Sequence, residues 1–231
     1  MGYRADGRII TMTVQEAIQT RHSVRQFKNE PIAAEIAEEL NALIEKTNEE
    51  SGLHMQLILD DTECFNTLLA HYGKFINANN YIAIVGPKTL PDLEERGGYY
   101  GQKIVLSAQM MGLRTCWVGG TYGRGKCKAN QSAGERIVCV IAIGYGNNDG
   151  APHKSKPISK LCTVPESAMP EWFKAGVEAA LLAPTALNQQ KFIISLDGEK
   201  PVIKAGMGVM TKIDLGIVKY NFEAASGRKC G

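Results

Sequence analysis

Ile137-Val138-Cys139-Val140-Ile141-Ala142-Ile143, closed by Gly144-Tyr145-Gly146, is the stretch on which the fold turns. It is apolar without a break and mostly β-branched, the pattern of a strand covered on both faces. Working outward from it, Thr115-Cys116-Trp117-Val118 is a strand or extended segment ending in Gly119-Gly120, and the polar 121–134 between the two is a loop. Before them the spacing predicts the longest helix over 91–111, with Ile104, Val105, Ala108 and Met111 on one face and Gly112 as its stop. Tyr81-Ile82-Ala83-Ile84-Val85, ended by Gly86-Pro87, is a second buried strand, and 55–59 a third. Helices are predicted over 62–77, over 31–48 and over 13–20, the last opened by the capping pair Thr13 and Glu16. Downstream lie a lysine-bearing loop over 147–165, a helix over 169–182, strand 192–196 turning at Asp197-Gly198 into its hairpin partner 202–204, and a final helix over 212–225. Helices and strands alternate without a clean boundary, which predicts a single α+β domain over 12–231, with residues 1–11 as an extension.

Composition narrows the function. With 44% hydrophobic and 22% charged residues among 231, a substantial core is available. A net charge of +2, with scattered Lys and Arg, argues against nucleic acid. No apolar run reaches the roughly 18 residues a membrane helix needs, and Arg4, Asp6 and Arg8 interrupt any signal-peptide centre, so no membrane partner and a cytoplasmic location are expected. Six cysteines (64, 116, 127, 139, 162 and 230) show no C-x-x-C spacing and stand apart from the histidines, so we expect no metal site; the thiols read as structural or incidental, and reduced.

Arg21-His22-Ser23-Val24-Arg25-Gln26-Phe27 follows the first predicted helix. Arginine presents a planar fork of donors that matches phosphate oxygens two at a time, and a serine hydroxyl adds a third donor. A solvated charged surface fits the same seven residues, and this window does not separate the two readings. No P-loop or Rossmann glycine fingerprint is present, which counts against a nucleotide site without flavin.

Four segments taken together resemble the FMN-dependent nitroreductase family: R-H-S-V-R-Q-F at 21–27, G-L-R-T-C-W-V-G-G at 112–120, I-G-Y-G at 143–146 followed by K-S-K-P-I-S-K-L at 154–161, and A-P-T-A-L-N-Q-Q-K-F at 183–192. The last is similar to the family's A-P-S-A-x-N-x-Q-P-W pattern, with Thr185, Lys191 and Phe192 replacing Ser, Pro and Trp. It departs from the common order by lying near the C-terminus, and 213–217 resembles the opening of a second copy of the long helix. This order is similar to the single-chain branch, the TM-nitroreductase type, with a rearranged and partly duplicated domain.

The resemblance implies a central mixed β-sheet flanked by helices in a pseudo-dimeric single chain, with a partial internal repeat of 12–165 and 166–231. It implies FMN, with Arg21, Arg25, Lys154 and Lys156 on the phosphate, Ser23 near the phosphate or ribityl chain, and His22 in contact largely through its backbone. Pro184, Thr185, Ala186 and Asn188 would meet the isoalloxazine ring, with Asn188 and Gln190 offering amides to its polar edge and Trp117, Val118, Gly119 and Gly120 facing it from the other side. Alternatives stay open: Trp117 suits a core as well as a flavin, Gly144 and Gly146 suit a plain strand terminus, and 183–192 suits a helix end with a polar turn. The family has no side-chain nucleophile, so no catalytic residue is expected. Hydride from NADH or NADPH would pass through the flavin N5 to a nitroaromatic, quinone or similar small-molecule acceptor. A flavin-binding or redox-sensing protein without turnover is the alternative. The order of the segments implies a flavin site within one chain, whether monomer or weak homodimer.

Overall fold

The computed structural model describes residues 2–3, 9–10 and 12–231. In chain order its elements are β1 (Gly2–Tyr3), β2 (Ile9–Ile10), α1 (Val14–Thr20), α2 (Ala34–Ser51), β3 (Gln56–Ile58), α3 (Leu68–Tyr72), β4 (Tyr81–Pro87), α4 (Leu93–Met110), β5 (Arg114–Val118), β6 (Glu135–Gly144), α5 (Glu171–Leu181), β7 (Phe192–Asp197), β8 (Lys200–Ala205) and α6 (Thr211–Ser226). The expected extension falls largely on residues outside those described; β1 and β2 pair antiparallel within it. The chain divides into two compact units that interleave along the sequence: Met1–Thr11, Arg21–Leu93 and Ser107–Pro152 form the first, and Met12–Thr20, Glu94–Leu106 and His153–Gly231 the second.

In the first unit β6 lies between β4 and β5, in the sheet order β3-β4-β6-β5. Its last eight residues are all buried, as an uninterrupted apolar run requires. Tyr81 pairs with Ala142 on one side of β6 and Trp117 with Ile141 on the other, both antiparallel. Ser23 adds one parallel bridge to Thr115 on β5, which makes the sheet mixed. Alternate residues of β4, namely Tyr81, Ala83 and Val85, share a buried cluster with Val24, Phe27, Phe65, Phe75, Cys116, Val118 and Val140. Each large side chain so buried contributes about 1.5 to 3 kcal/mol.

The helix predicted over 62–77 shortens to α3. Asp61 Oδ1 accepts from the Glu63 amide and Thr67 Oγ1 from the Ala70 amide, so side chains replace the first helical turns. Beyond α3, Lys74 and Asn77 have φ of 60° and 52°. There the Ile76 amide donates to the Arg25 carbonyl, and the Phe27 amide donates to the Ile76 carbonyl. Tertiary pairing has taken the backbone groups that a longer helix would use.

In the second unit α5 and α6 pack together, with Phe173 edge-on to Phe222, and β7 pairs antiparallel with β8 from Phe192↔Ala205 to Asp197↔Lys200. The capping pair holds α1 as expected: the Thr13 amide donates to Glu16 Oε2 at 2.7 Å, and the Glu16 amide donates back to Thr13 Oγ1 at 3.2 Å. The 94–106 stretch of α4 crosses α6 with the backbones in contact. A Cβ on Gly98 would strike the Ile213 carbonyl, and one on Gly216 the Glu95 carbonyl and the Tyr99 amide. Polar pairs tie the same crossing: Gln102 Nε2 donates to Asn221 Oδ1 at 2.9 Å, and Lys219 Nζ lies 2.6 Å from Glu95 Oε1. Among the described residues no helix is long and apolar enough to cross a membrane.

Candidate functional site

Val24 and Phe27 are buried in the first unit and pin 21–27 beside β5, where the Val24 amide donates to the Thr115 carbonyl at 3.0 Å. This anchoring carries Arg21 inward. Arg21 is 3% exposed and its Nη1 is buried with no hydrogen-bond partner. Burial pushes its guanidinium down to about 10, opposed by the nearby Cys116. Thr115 Oγ1 is also buried and unpartnered, and Ser23 pairs with Thr115 through the backbone. Burial raises the Cys116 thiol, while the charges of Arg25 and Arg21 and a hydrogen bond with Ser23 act the other way. Arg25 itself is exposed. Arg21, Arg25 and Ser23 thus lie around Cys116, and among the described residues no acidic side chain pairs with Arg21, an arrangement that fits a phosphate.

His22 Nδ1 lies 3.0 Å from the Asp149 carbonyl, which Arg114 holds in place by pairing with the Asp149 carboxylate at 2.7 Å. Gly144 of the Gly-Tyr-Gly segment packs under the Phe27 ring, 3.2 Å from where a Cβ would stand. Its role is to seat the arginine segment. Trp117 is half-buried and Val118 buried, and a Cβ on Gly120 would meet nothing within 4 Å.

The second unit gathers the remaining candidates into a braced loop after α5. The Lys154 carbonyl accepts from Asn188 Nδ2 and Gln190 Nε2, both at 2.9 Å. Gln190, 2% exposed, also accepts from the Lys156 amide at 2.8 Å, and its own amide donates to Thr185 Oγ1 at 3.0 Å. Lys156 Nζ donates to the Gln189 carbonyl at 2.6 Å, so a phosphate would have to displace that bond. Pro184 is buried, Ala186 half-buried and Leu187 89% exposed. Leu187, Asn188 and Gln190 have φ of 54°, 50° and 46°, left-handed values that an L residue adopts at a cost and that the bracing bonds sustain.

Asp214, buried in the first turn of α6, is absent from the motif reading. Its Oδ1 accepts from the Ala186 amide and its Oδ2 from Gln189 Nε2, both at 2.9 Å. Burial raises its carboxyl to about 6, against the two bonds that lower it. In the sequence Asp214 looks like part of an ordinary helix start, and nothing there links it to a loop 28 residues upstream. Thr115 was missed because a threonine within a strand carries no signal of its own.

The chain is thus an α+β protein with a buried arginine whose Nη1 has no hydrogen-bond partner. By sequence the chain belongs to the family described as "Putative TM nitroreductase", whose model matches residues 13–226. In fold it is similar to a "putative nitroreductase" from Thermotoga maritima MSB8, at 20% identity, TM-score 0.71, and coverage of 99% of this chain and 92% of that one. A "putative nitroreductase in complex with FMN" from Desulfovibrio desulfuricans aligns at 19% identity and TM-score 0.51 over 66% of this chain and 96% of its own. A "Putative NADH dehydrogenase/NAD(P)H nitroreductase" from Parabacteroides distasonis ATCC 8503 aligns at 18% identity and TM-score 0.51 over 64% and 95%. No curated protein matches the chain.

Proposed function

We propose that the protein is an FMN-dependent oxidoreductase that takes hydride from NADH or NADPH and passes it to a nitroaromatic, a quinone or a similar electron-poor small molecule. The observation that carries the reading is the buried Arg21 guanidinium with Nη1 unpartnered, beside a segment whose Thr115 hydroxyl is also unpartnered. A cation kept out of water without a partner is costly, and a phosphate would relieve that cost. Family membership and the FMN bound to the Desulfovibrio desulfuricans protein support flavin as the bearer of that phosphate.

Bound FMN supplies the two-electron chemistry, and the protein supplies binding, orientation and electrostatics. Arg21 and Arg25 would hold the phosphate through charge-assisted bonds, and Ser23 would add a donor from the same segment. In the second unit Asp214, Gln190 and Lys156 fix the backbone of 185–190, so Asn188 and the exposed Leu187 are presented by a loop that does not need to reorganise. Each chain is assigned one FMN of its own.

The test begins with an absorption spectrum of the purified protein, followed by heat or acid release of the cofactor and its identification. Addition of NADH or NADPH under argon should then bleach the flavin rapidly. Persistent yellow colour would favour a binding protein without turnover. Released FAD, or no flavin retained after reconstitution, would sink the assignment of Arg21 and Arg25 to a terminal phosphate.

A further inference from the structure

Two cysteines of the first unit meet in a polar knot that the flavin reading does not use. Cys64 lies in the turn before α3 and is fully buried, while Cys127 lies in the loop before β6 and is partly exposed. Two contacts stitch these segments in register, the Gly123 amide donating to the Cys64 carbonyl at 2.7 Å and Lys126 Nζ pairing with Glu63 Oε2 at 2.9 Å, and Cys127 packs against the buried cluster that contains Cys64. The residue before each cysteine is thus paired across the same seam. Tyr81 closes the knot from β4: its hydroxyl donates to Asp61 Oδ2 at 2.6 Å, accepts from the Lys128 amide at 2.8 Å and contacts the Cys127 sulfur.

The environments of the two sulfurs differ. The neighbouring Cys64 thiol and the Ala129 amide hold the Cys127 thiol below its usual range, against partial burial and the negative charge of Asp61. Cys64 is driven upward by its hydrogen bond to Cys127, by burial, and by the negative charges of Cys127 and Asp61. A partly exposed sulfur beside a fully enclosed one has the asymmetry of an attacking and a resolving thiol.

We propose that Cys64 and Cys127 form a reversible dithiol–disulfide site, with Cys127 the sulfur oxidised first by a hydroperoxide and Cys64 the sulfur that resolves it. The Cys127 thiolate attacks the terminal oxygen of the hydroperoxide; the O–O bond breaks, the alcohol leaves with a proton from solvent, and Cys127 becomes a sulfenic acid. Cys64 then attacks Cys127 Sγ. The S–S bond forms, the S–O bond breaks, and hydroxide leaves with the Cys64 proton as water. Two thiols and one hydroperoxide thus give one disulfide, one alcohol and one water. A small dithiol reverses the reaction by exchange. Both sulfurs lie outside regular helix and strand, so the closing movement falls on loop backbone. The site is independent of the flavin assignment, since none of its groups, at 61–64, 81 and 123–129, is among the residues assigned to the flavin.

The test treats the full-length protein with one equivalent of hydroperoxide, blocks free thiols under denaturing conditions and maps the peptides without reduction. The wild type should fall from six titratable thiols to four, yield a linked peptide holding Cys64 and Cys127, and regain all six with dithiothreitol. Cys64→Ser should accumulate a Cys127 sulfenic acid trapped by dimedone, and Cys127→Ser should leave Cys64 unmodified. If the wild type keeps six thiols, or the bridge joins another pair, or Cys64 is oxidised in Cys127→Ser, the proposal is overturned. The wild-type map decides by itself should either variant fail to fold.

Discussion

Replacing Arg21 by methionine should move two measurements in opposite directions. Methionine roughly keeps the length of the side chain and removes the charge. In the ligand-free protein the guanidinium is fully enclosed and pushed down to about 10. At about 1.4 kcal/mol for each tenfold change in proton affinity, holding that charge inside costs on the order of 3 kcal/mol. The folded value lies below the unfolded one, so the cost is present at all pH values below about 10 and fades only above it. Ligand-free Arg21→Met should therefore be more stable than the wild type at pH 7, by up to about 3 kcal/mol and less to the extent that packing is lost. FMN binding should weaken by on the order of 2 kcal/mol or more, about thirtyfold in Kd, because a charge-assisted donor to the phosphate is gone. Urea unfolding of flavin-free protein and flavin fluorescence titration read the two quantities separately. A variant that is less stable without ligand and binds FMN as tightly as the wild type would refute the reasoning, since Arg21 would then be a structural residue satisfied by the protein itself.

Three further outcomes are expected. Asp214, raised to about 6 in the folded state, contributes stability that is fully present below its ordinary carboxylate range and lost as pH rises through about 6. The stability difference between wild type and Asp214→Asn should therefore change by on the order of 3 kcal/mol between pH 4 and 7, and pH-dependent urea curves that stay parallel would contradict this. Gly216→Ala should lower the thermal midpoint at the upper end of the 1–3 kcal/mol range for overpacking, because the new methyl meets the backbone of 95–99 rather than a mobile side chain. Tyr81→Phe removes the donor to the buried Asp61 and the acceptor of the Lys128 amide, and should cost roughly 1 to 3 kcal/mol in chemical denaturation.

How much was legible follows from where each residue's partners lie. The doubly covered strand at 137–143 announced itself because burial on both faces leaves no polar position, and β6 sits at the centre of its sheet as that run required. The Thr13–Glu16 cap and the 192–204 hairpin were readable because their partners stand a few residues apart. The 62–77 segment was misread for the opposite reason: the groups that stop the helix, at Arg25 and Phe27, are some fifty residues upstream. The candidate site divides along the same line. Arg21 could be singled out as a donor, yet its burial depends on Val24 and Phe27 being drawn into the core and on β5 lying alongside. Asn188 and Gln190 could be matched to a motif, whereas the strained backbone that presents them is held by Lys156 and Asp214 from distant segments. Sequence therefore names the groups assigned to a ligand more readily than the groups that hold them still. The second set is where substitutions should alter affinity without removing a contact, and Asp214→Asn tests that separation directly: it leaves every donor proposed for the phosphate in place while removing the charge that fixes 186–189.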